Sequence, residues 1–451
     1  MAGGLVSVAR RFTDLGVRVI SSRLVSGGAR AVGLAARSAV GSKGVRASVP
    51  IFLSRKEDVC LGERRGAYSQ KRFQSTAREA PDFAFAFDID GVLLHESRPI
   101  PGASDVLRFL EEQHVPFILL TNGGGKREED RVSDLSEKLG VPLTTDNFVQ
   151  SHTPFRQLVD GPDGLRDKTV LVTGSDYGKC RDIAKSYGFN NIITPSDILA
   201  AQPNIFPFRH IPSLHPNPQP LPRLPYTGDT STALSSSLKV DAMFVFDDPR
   251  DWAVDTQIIM DLLLSRSGYI GTYSALNNDS SLPNCGWQQD SQPTLYFSNG
   301  DMLWAAHYHL PRFGQGAFQA ALAGVWRRYT GGHELRRTVI GKPERETYAF
   351  AERVLNAYRH ERLREIGGHG ANGLMAVYMV GDNPDSDIAG ANGFRSETGT
   401  EWLSILVRTG VWSDKRQGMG MLEGVKKPTT IVKDVREAVE WACGRHGVEW
   451  K

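Results

Sequence analysis

Two carboxylates spaced i and i+2 stand in Asp88-Ile-Asp90-Gly91-Val92, directly after the apolar run Phe83–Phe87. At the end of a buried strand, both can address the crevice in which open α/β sheets bind ligands. One can attack a phosphorus atom while the other gives a proton to the leaving oxygen and then activates water. Calcium loops also contain a D-x-D-G pattern, but an EF-hand needs an acidic ligand at its twelfth position and flanking helices. Counted from Asp88 that position is Pro99, and a strand precedes the loop, so an EF-hand is excluded.

Three further polar groups follow strand-like runs. Thr121-Asn122-Gly123 comes after Ile118-Leu119-Leu120, and a hydroxyl beside the amides of Gly123, Gly124 and Gly125 suits phosphate oxygens. Taken alone, such a glycine cluster is equally a turn. Lys342, in Gly341-Lys342-Pro343, would neutralise a carboxylate and a phosphate. A single lysine is ordinarily solvated surface, so it gains weight only from its neighbours. Gly381-Asp382-Asn383-Pro384-Asp385-Ser386-Asp387 sets three acids at a strand end, where they repel unless a cation compensates. Magnesium takes hard oxygen ligands and keeps several waters. Asp88, the main-chain carbonyl of Asp90, and Asp382 would supply its protein ligands.

The elements that must hold these groups alternate between strand and helix, the rhythm of an α/β fold with a parallel sheet. Strands are expected at 83–87, 115–120, 170–173, 191–194, 242–246, 295–297, 338–340, 376–380, 404–407 and 430–432. Helices are expected at 104–113, 131–139, 252–265, 316–329, 346–364 and 435–443. Eight prolines between Pro203 and Pro225 forbid regular structure there. The acidic run 247–251 reads as a helix N-terminus, with a substrate-cation or second-metal role as the competing reading. His307 and His309 would face apart on a helix, which argues against joint metal binding.

With 451 residues, the chain needs two or three folding units, and its 40 % hydrophobic and 23 % charged residues are globular values. A formal charge of +2 argues against wholesale nucleic-acid binding. Cys60, Cys180, Cys285 and Cys443 form no C-x-x-C pair and suggest neither zinc nor disulfides. No apolar run reaches the ~18–20 residues of a membrane span. Residues 1–56 carry ten arginines and lysines against one acid, Asp14, which is the composition of a mitochondrial presequence.

The order and spacing of the four motifs resemble the haloacid dehalogenase superfamily over 82–442. That resemblance implies Asp88 as the nucleophile of an aspartyl-phosphate and Asp90 as general acid/base. It implies Thr121 and Lys342 as phosphate holders, with Asn122 and Gly123 beside them. Asp382 would ligate Mg2+, and Asp387 would support it or complete the shell. An acid at the second motif position points to phosphatase chemistry. Only 33 positions separate Asp88 from Thr121, whereas 221 separate Thr121 from Lys342. This gap resembles subclass IIA, in which a large α/β cap is inserted between the second and third motifs of a Rossmann-like, doubly wound parallel-sheet core. Ile100-Pro101-Gly102-Ala103 and Ser298-Asn299-Gly300-Asp301 also resemble it, although the latter departs from the usual Asn-Pro-Asp. The implied organisation is presequence and linker at 1–80, core at 81–149, cap at 150–310 with the excursion 203–225, and core again at 311–445.

Asp247-Asp248-Pro249-Arg250-Asp251-Trp252 and Pro311-Arg312-Phe313-Gly314-Gln315-Gly316 further resemble a mitochondrial eukaryotic family of such hydrolases. Its fungal members are linked to glycerophospholipid synthesis, and some relatives are fused to a phosphatidyltransferase. The function expected is a magnesium-dependent phosphatase acting on a small phosphate ester in the mitochondrial matrix. Two alternatives stand beside it: a phospholipid-pathway enzyme acting on a phosphatidylglycerophosphate-like headgroup, and a catalytically weak scaffold. The expected partners are the ester, a second copy of the chain, and at most a peripheral membrane contact, with no nucleic acid.

Overall fold

Phenylalanine and alanine alternate along Phe83–Phe87, and the pleat sends them to opposite sides of the strand. Phe83, Phe85 and Phe87 pack with Leu107, Val435 and Val439 on one face. Ala84 and Ala86 leave room on the other for Tyr348, Ala351 and Leu355. A strand covered by helices on both faces is the condition for a parallel sheet.

The computed structural model describes residues 81–208, 217–304, 308, 310–365, 373–412 and 422–450. The presequence and linker expected at 1–80, the histidine pair 307 and 309, and part of the proline-rich excursion lie outside them. The strands of the two larger sheets are β1 (Phe83–Phe87), β2 (Phe117–Leu120), β3 (Phe148–Val149), β4 (Thr169–Thr173), β5 (Asn191–Ile193), β6 (Ala242–Val245), β7 (Thr294–Phe297), β8 (Thr338–Val339), β9 (Ala376–Gly381), β10 (Glu401–Val407) and β11 (Thr430–Val432). The helices used below are α1 (Ala103–Glu112), α2 (Glu128–Leu139), α3 (Tyr177–Tyr187), α4 (Pro195–Ala201), α5 (Trp252–Leu264), α6 (Gln315–Tyr329) and α7 (Arg345–Glu365).

The first sheet is parallel throughout, in the order β11-β10-β9-β1-β2-β3. Strand order reverses direction between β1 and β9, so the switch-point crevice opens where Asp88 leaves β1 and Asp382 leaves β9. The second sheet, β8-β7-β6-β4-β5, is also parallel. Its own switch point lies between β4 and β6. This is an α/β architecture with a doubly wound core and a second α/β layer system inserted in it.

One expected boundary is corrected. The core was expected to resume at 311, but the second sheet keeps the chain until Val339. Thr338 pairs with Tyr296, and Val339 with Phe297. Phe318, Leu322 and Trp326 of α6 pack with Met243, Ile258 and Phe297 of the same layer. The strand and helix periods of 311–340 are those of any α/β unit, and period alone does not say which sheet a strand joins.

α4 was not anticipated. Thr194 and Asp197 form a capping box around Pro195 at the first turn, so a seven-residue helix nucleates between a strand and the proline-rich stretch. The described residues of that stretch form a short 3-10 turn at Pro203–Ile205 and otherwise no regular structure.

Candidate active site

The loop leaving β1 must turn under the sheet edge immediately after Asp88. Gly91 makes that turn with φ +90, and a Cβ there would fall 2.4 Å from Asp382 Oδ2. A side chain is therefore excluded by both conformation and space. The turn places the Asp88 and Asp382 carboxylates at one point of the crevice, and Asp387 joins them. One oxygen from each of the three lies within 4.8 Å of the others, and all three residues are buried.

Lys342 is the compensating cation. Its Nζ donates to Asp88 Oδ1 at 2.6 Å and to the Leu120 carbonyl at 2.8 Å, and it lies 2.7 Å from Asp387 Oδ1. Only 2 % exposed, it is not the solvated surface lysine that its isolated motif allows. Burial alone would lower its pKa, but Asp387 and Asp88 outweigh that and hold the ammonium charged. The acids show the converse. Burial raises the Asp88 carboxyl well above its usual range, with Asp387 and Asp382 adding to this against the pull of Lys342. Burial and then Asp387 push Asp382 up to about 7.

The remaining sequence-expected residues divide. Thr121 is buried, and its Oγ1 accepts from the Gly123 amide at 3.0 Å, which curls the glycine loop around the strand end. Asp387 is committed to protein partners, because its Oδ2 accepts from the amides of Asp382 and Asn383 at 3.1 and 3.0 Å. Asp90 stands apart from the buried cluster, with a side chain 67 % exposed and Oδ2 3.8 Å from Arg131 of α2.

Asn122 needs a correction. Its side chain is not presented to a phosphate. Its amide donates to Asp301 Oδ2 at 3.0 Å and to the Lys342 carbonyl at 2.9 Å, and its oxygen accepts from the Lys342 amide at 2.7 Å. Asn122 thus clamps the main chain of Lys342, where the chain returns from the second sheet to the first. Asp301 is the clamp's other end, and burial pushes its carboxyl up to about 6. The loop without proline keeps its turn, since the Asp301 amide donates to Asn299 Oδ1 at 3.1 Å.

Several residues around the site carried no readable motif. Thr409 donates to the Gly91 carbonyl, and the Val411 amide donates to Asp382 Oδ2, so the loop after β10 braces the acid. On the cap side, Asp247 is not a helix cap. Its carboxylate accepts from the amide and hydroxyl of Ser175, and a Cβ on Gly125 (φ +78) would fall 2.2 Å from Asp247 Oδ2. The glycine loop and the cap therefore touch through this residue. Asp251 does cap α5, accepting from the Val254 amide at 3.1 Å, as the helix N-terminus reading requires.

His152 is a further contact of that loop. It is fully buried; its Nε2 accepts from the Gly125 amide at 3.3 Å, and its Nδ1 lies 2.6 Å from Tyr187 Oη. Tyr187 donates onward to Glu128 Oε1, which leaves one consistent tautomer, a neutral ring with the proton on Nδ1. Burial lowers its pKa to about 4. Replacing His152 with alanine orphans the Gly125 amide, a loss of about 1–3 kcal/mol. We expect KM for a phosphate ester to rise about tenfold while kcat changes less, and His152→Gln to recover much of it. Steady-state kinetics check this; an unchanged KM with lowered stability alone would assign the histidine to packing.

The donor set suits a small divalent cation: hard, buried carboxylate oxygens at two adjacent strand ends, with a glycine turn leaving space. The cluster can bind phosphate through Lys342 and the Thr121 hydroxyl, and it presents a carboxylate for attack.

Comparison with known proteins identifies the family. Residues 85–190 match the model of haloacid dehalogenase-like hydrolases, and 339–438 match a second HAD-hydrolase-like model. A mitochondrial hydrolase of Saccharomyces cerevisiae is 37 % identical over 379 residues, 81 % of this chain and 96 % of the yeast protein. A cardiolipin synthase (CMP-forming) / mitochondrial hydrolase fusion protein of Schizosaccharomyces pombe is 36 % identical over 82 % of this chain, which spans 55 % of that longer protein. Among solved structures, a hypothetical protein of Pyrococcus horikoshii matches with TM-score 0.47 and 20 % identity, over 80 % of this chain and 99 % of its own. A glycerol phosphate phosphatase of Mycobacterium tuberculosis in complex with magnesium matches with TM-score 0.45 and 20 % identity, over 79 % of this chain and 76 % of its own. Such identity to a relative covered almost end to end leaves one conclusion: the chain belongs to the haloacid dehalogenase-like hydrolases.

Proposed function

We propose that this hydrolase is a magnesium-dependent phosphomonoester phosphatase of mitochondria that works through an aspartyl-phosphate on Asp88. The observation that carries the reading is the buried ion pair between Lys342 Nζ and Asp88 Oδ1 at 2.6 Å, placed at the switch point of a doubly wound sheet. A carboxylate held there against burial needs a cation and a task.

An Asp88 oxygen attacks phosphorus as the P–O bond of the ester breaks. The leaving oxygen takes a proton from Asp90, whose side chain reaches it by rotating away from Arg131. Asp90, now a carboxylate, accepts a proton from water as that water attacks phosphorus. The bond between phosphorus and the Asp88 oxygen then breaks, releasing phosphate and regenerating both acids. Lys342 and the Thr121 hydroxyl hold the phosphoryl oxygens. Asp88, the Asp90 carbonyl and Asp382 would hold magnesium, with Asp387 positioning Asp382 and Lys342 from behind. Bound there, magnesium supplies positive charge to the phosphoryl oxygens. Closure of the second layer system over the crevice would exclude water and select the leaving group.

Mitochondrial placement is supported by the basic, acid-poor segment 1–56 and by the names of both curated relatives. A second reading, a phosphate on a glycerophospholipid headgroup, is favoured by the fission-yeast relative whose name joins this hydrolase to cardiolipin synthase. Assay of purified protein against a panel of phosphate esters, with and without magnesium, tests the function. No turnover of any ester would support the scaffold alternative.

Metal binding has a signature independent of turnover. Burial and Asp387 raise Asp382 from its ordinary 3.8 to about 7, so between those values the folded state binds more protons than the unfolded chain. Stability from this group therefore falls as pH rises through that window. Magnesium opposes the loss, and its effect should be greater above pH 7 than near pH 5. Scanning calorimetry at two pH values with and without the ion reads this directly. An equal shift at both, or none, would remove Asp382 from the ligand set.

A further inference from the structure

Large apolar side chains are expected inside, yet Met302, Leu303, Trp304, Tyr308, Leu310 and Phe313 are between 41 % and 63 % exposed. They fall within twelve residues of one another. Scattered exposed apolar residues need no explanation, whereas a contiguous group of this kind marks an interaction surface. Leu303–Trp304 and Arg312–Phe313 form a two-rung antiparallel ladder, with Trp304 Nε1 donating to the Phe313 carbonyl at 3.3 Å.

The ladder is rooted in the wall of the site. The Gly314 amide donates to the Met302 carbonyl at 3.0 Å, and the Gly316 amide to the Asp301 carbonyl at 2.9 Å. Asp301 is bound to Asn122, which clamps Lys342. Its charge is also one-sided. Beyond the half-buried Asp301, held by Asn122, the described residues 302–304, 308 and 310–313 include no acid, while the Arg312 guanidinium lies 5.1 Å from the Tyr308 ring centre.

We propose that this ladder is a lipid-surface contact, by which the phosphatase takes its ester from the headgroup of an anionic glycerolipid. Trp and Tyr combine an apolar ring with a polar handle, the composition that settles at the membrane–water interface. An arginine among them, with no acid, complements an anionic surface. A second copy of the chain fits less well. Side chains of ~200 Å², about half exposed, offer roughly 600 Å² in all, short of the ~800 Å² per partner of a stable protein interface. The contact would bring the headgroup phosphate to the crevice while the acyl chains stay in the bilayer. The proposal rests on the phosphatase reading for its substrate, but the lipid contact can be tested separately.

The test compares the full chain with a Leu303→Ser/Trp304→Ser/Phe313→Ser variant. Flotation is measured with vesicles of phosphatidylcholine alone and of phosphatidylcholine with phosphatidylglycerol. Because both proteins carry the same basic N-terminal segment, any difference belongs to the ladder. The expected result is a fall of about tenfold in binding to the anionic vesicles. Hydrolysis of phosphatidylglycerophosphate in those vesicles should fall by a similar factor, with 4-nitrophenyl phosphate turnover kept within about twofold. Equal flotation of the two proteins would overturn the lipid contact and leave the phosphatase reading intact. A dimer that dissociates only in the variant, seen by light scattering, would assign the ladder to a second copy and overturn it too. Inactivity on both esters with flotation still lost would retain the contact and remove the phosphatase reading.

Discussion

Asp88→Asn is expected to lower kcat toward any accepted phosphate ester by at least about a thousandfold, with magnesium present. The amide matches the carboxylate in shape but cannot form the phosphoenzyme. Loss of fold would be a competing cause, and the geometry separates the two. Burial already raises the Asp88 carboxyl well above its ordinary range, with Asp387 and Asp382 adding like charge. Replacing a carboxylate in that setting removes a repulsion, so the unfolding midpoint should be unchanged or slightly higher. Retained stability with lost turnover identifies the nucleophile. Acid quench of the wild type with a radiolabelled ester should trap label on protein, and the variant should trap none. Equal turnover by the variant would sink the assignment.

Lys342→Met is expected to cost both stability and activity. Methionine matches the aliphatic stem but leaves Asp88 and Asp387 buried without the ammonium that now lies 2.6 and 2.7 Å from them. Breaking a buried pair by removing one partner typically costs about 3–5 kcal/mol, because the remaining charge stays desolvated. Two stranded carboxylates place the loss toward the upper part of that range. A second substitution gives the internal check. Lys342→Met with Asp387→Asn removes one stranded charge, so the double variant should unfold at a higher denaturant midpoint than the single one. Activity should fall at least about a hundredfold in both, since the phosphoryl oxygens lose their nearest cation. Lys342→Arg should not rescue turnover, because a planar guanidinium cannot occupy a site shaped for a point charge. An unchanged midpoint in Lys342→Met would show that the ion pair is not the compensating interaction.

His152 supports the glycine loop from the other side. His152 and Asp247 both meet Gly125, one by accepting its amide and the other by filling the space a side chain would take. Neither belongs to a motif. A buried histidine in Ser151-His152-Thr153 has no sequence pattern, since its partner Tyr187 lies 35 positions away and donates in turn to Glu128.

What the sequence determined by itself is the chemistry that local order encodes. Asp88 and Asp90 sit two positions apart, Gly91 must follow them, and Thr121 ends its strand. The Phe-Ala alternation of 83–87 fixed a strand covered on both faces, because side-chain period follows from the backbone alone. The gap of 221 positions located an inserted layer system. Tertiary structure decided everything that depends on where distant segments meet. It assigned β8 to the second sheet, turned Asn122 from a phosphate contact into a clamp on Lys342, and set Asp90 outward against Arg131. It also converted an unremarkable Gly-Lys-Pro into the centre of the site. A lysine's role depends on which charges burial forces beside it, and Lys342 lies 254 positions from the carboxylate it holds.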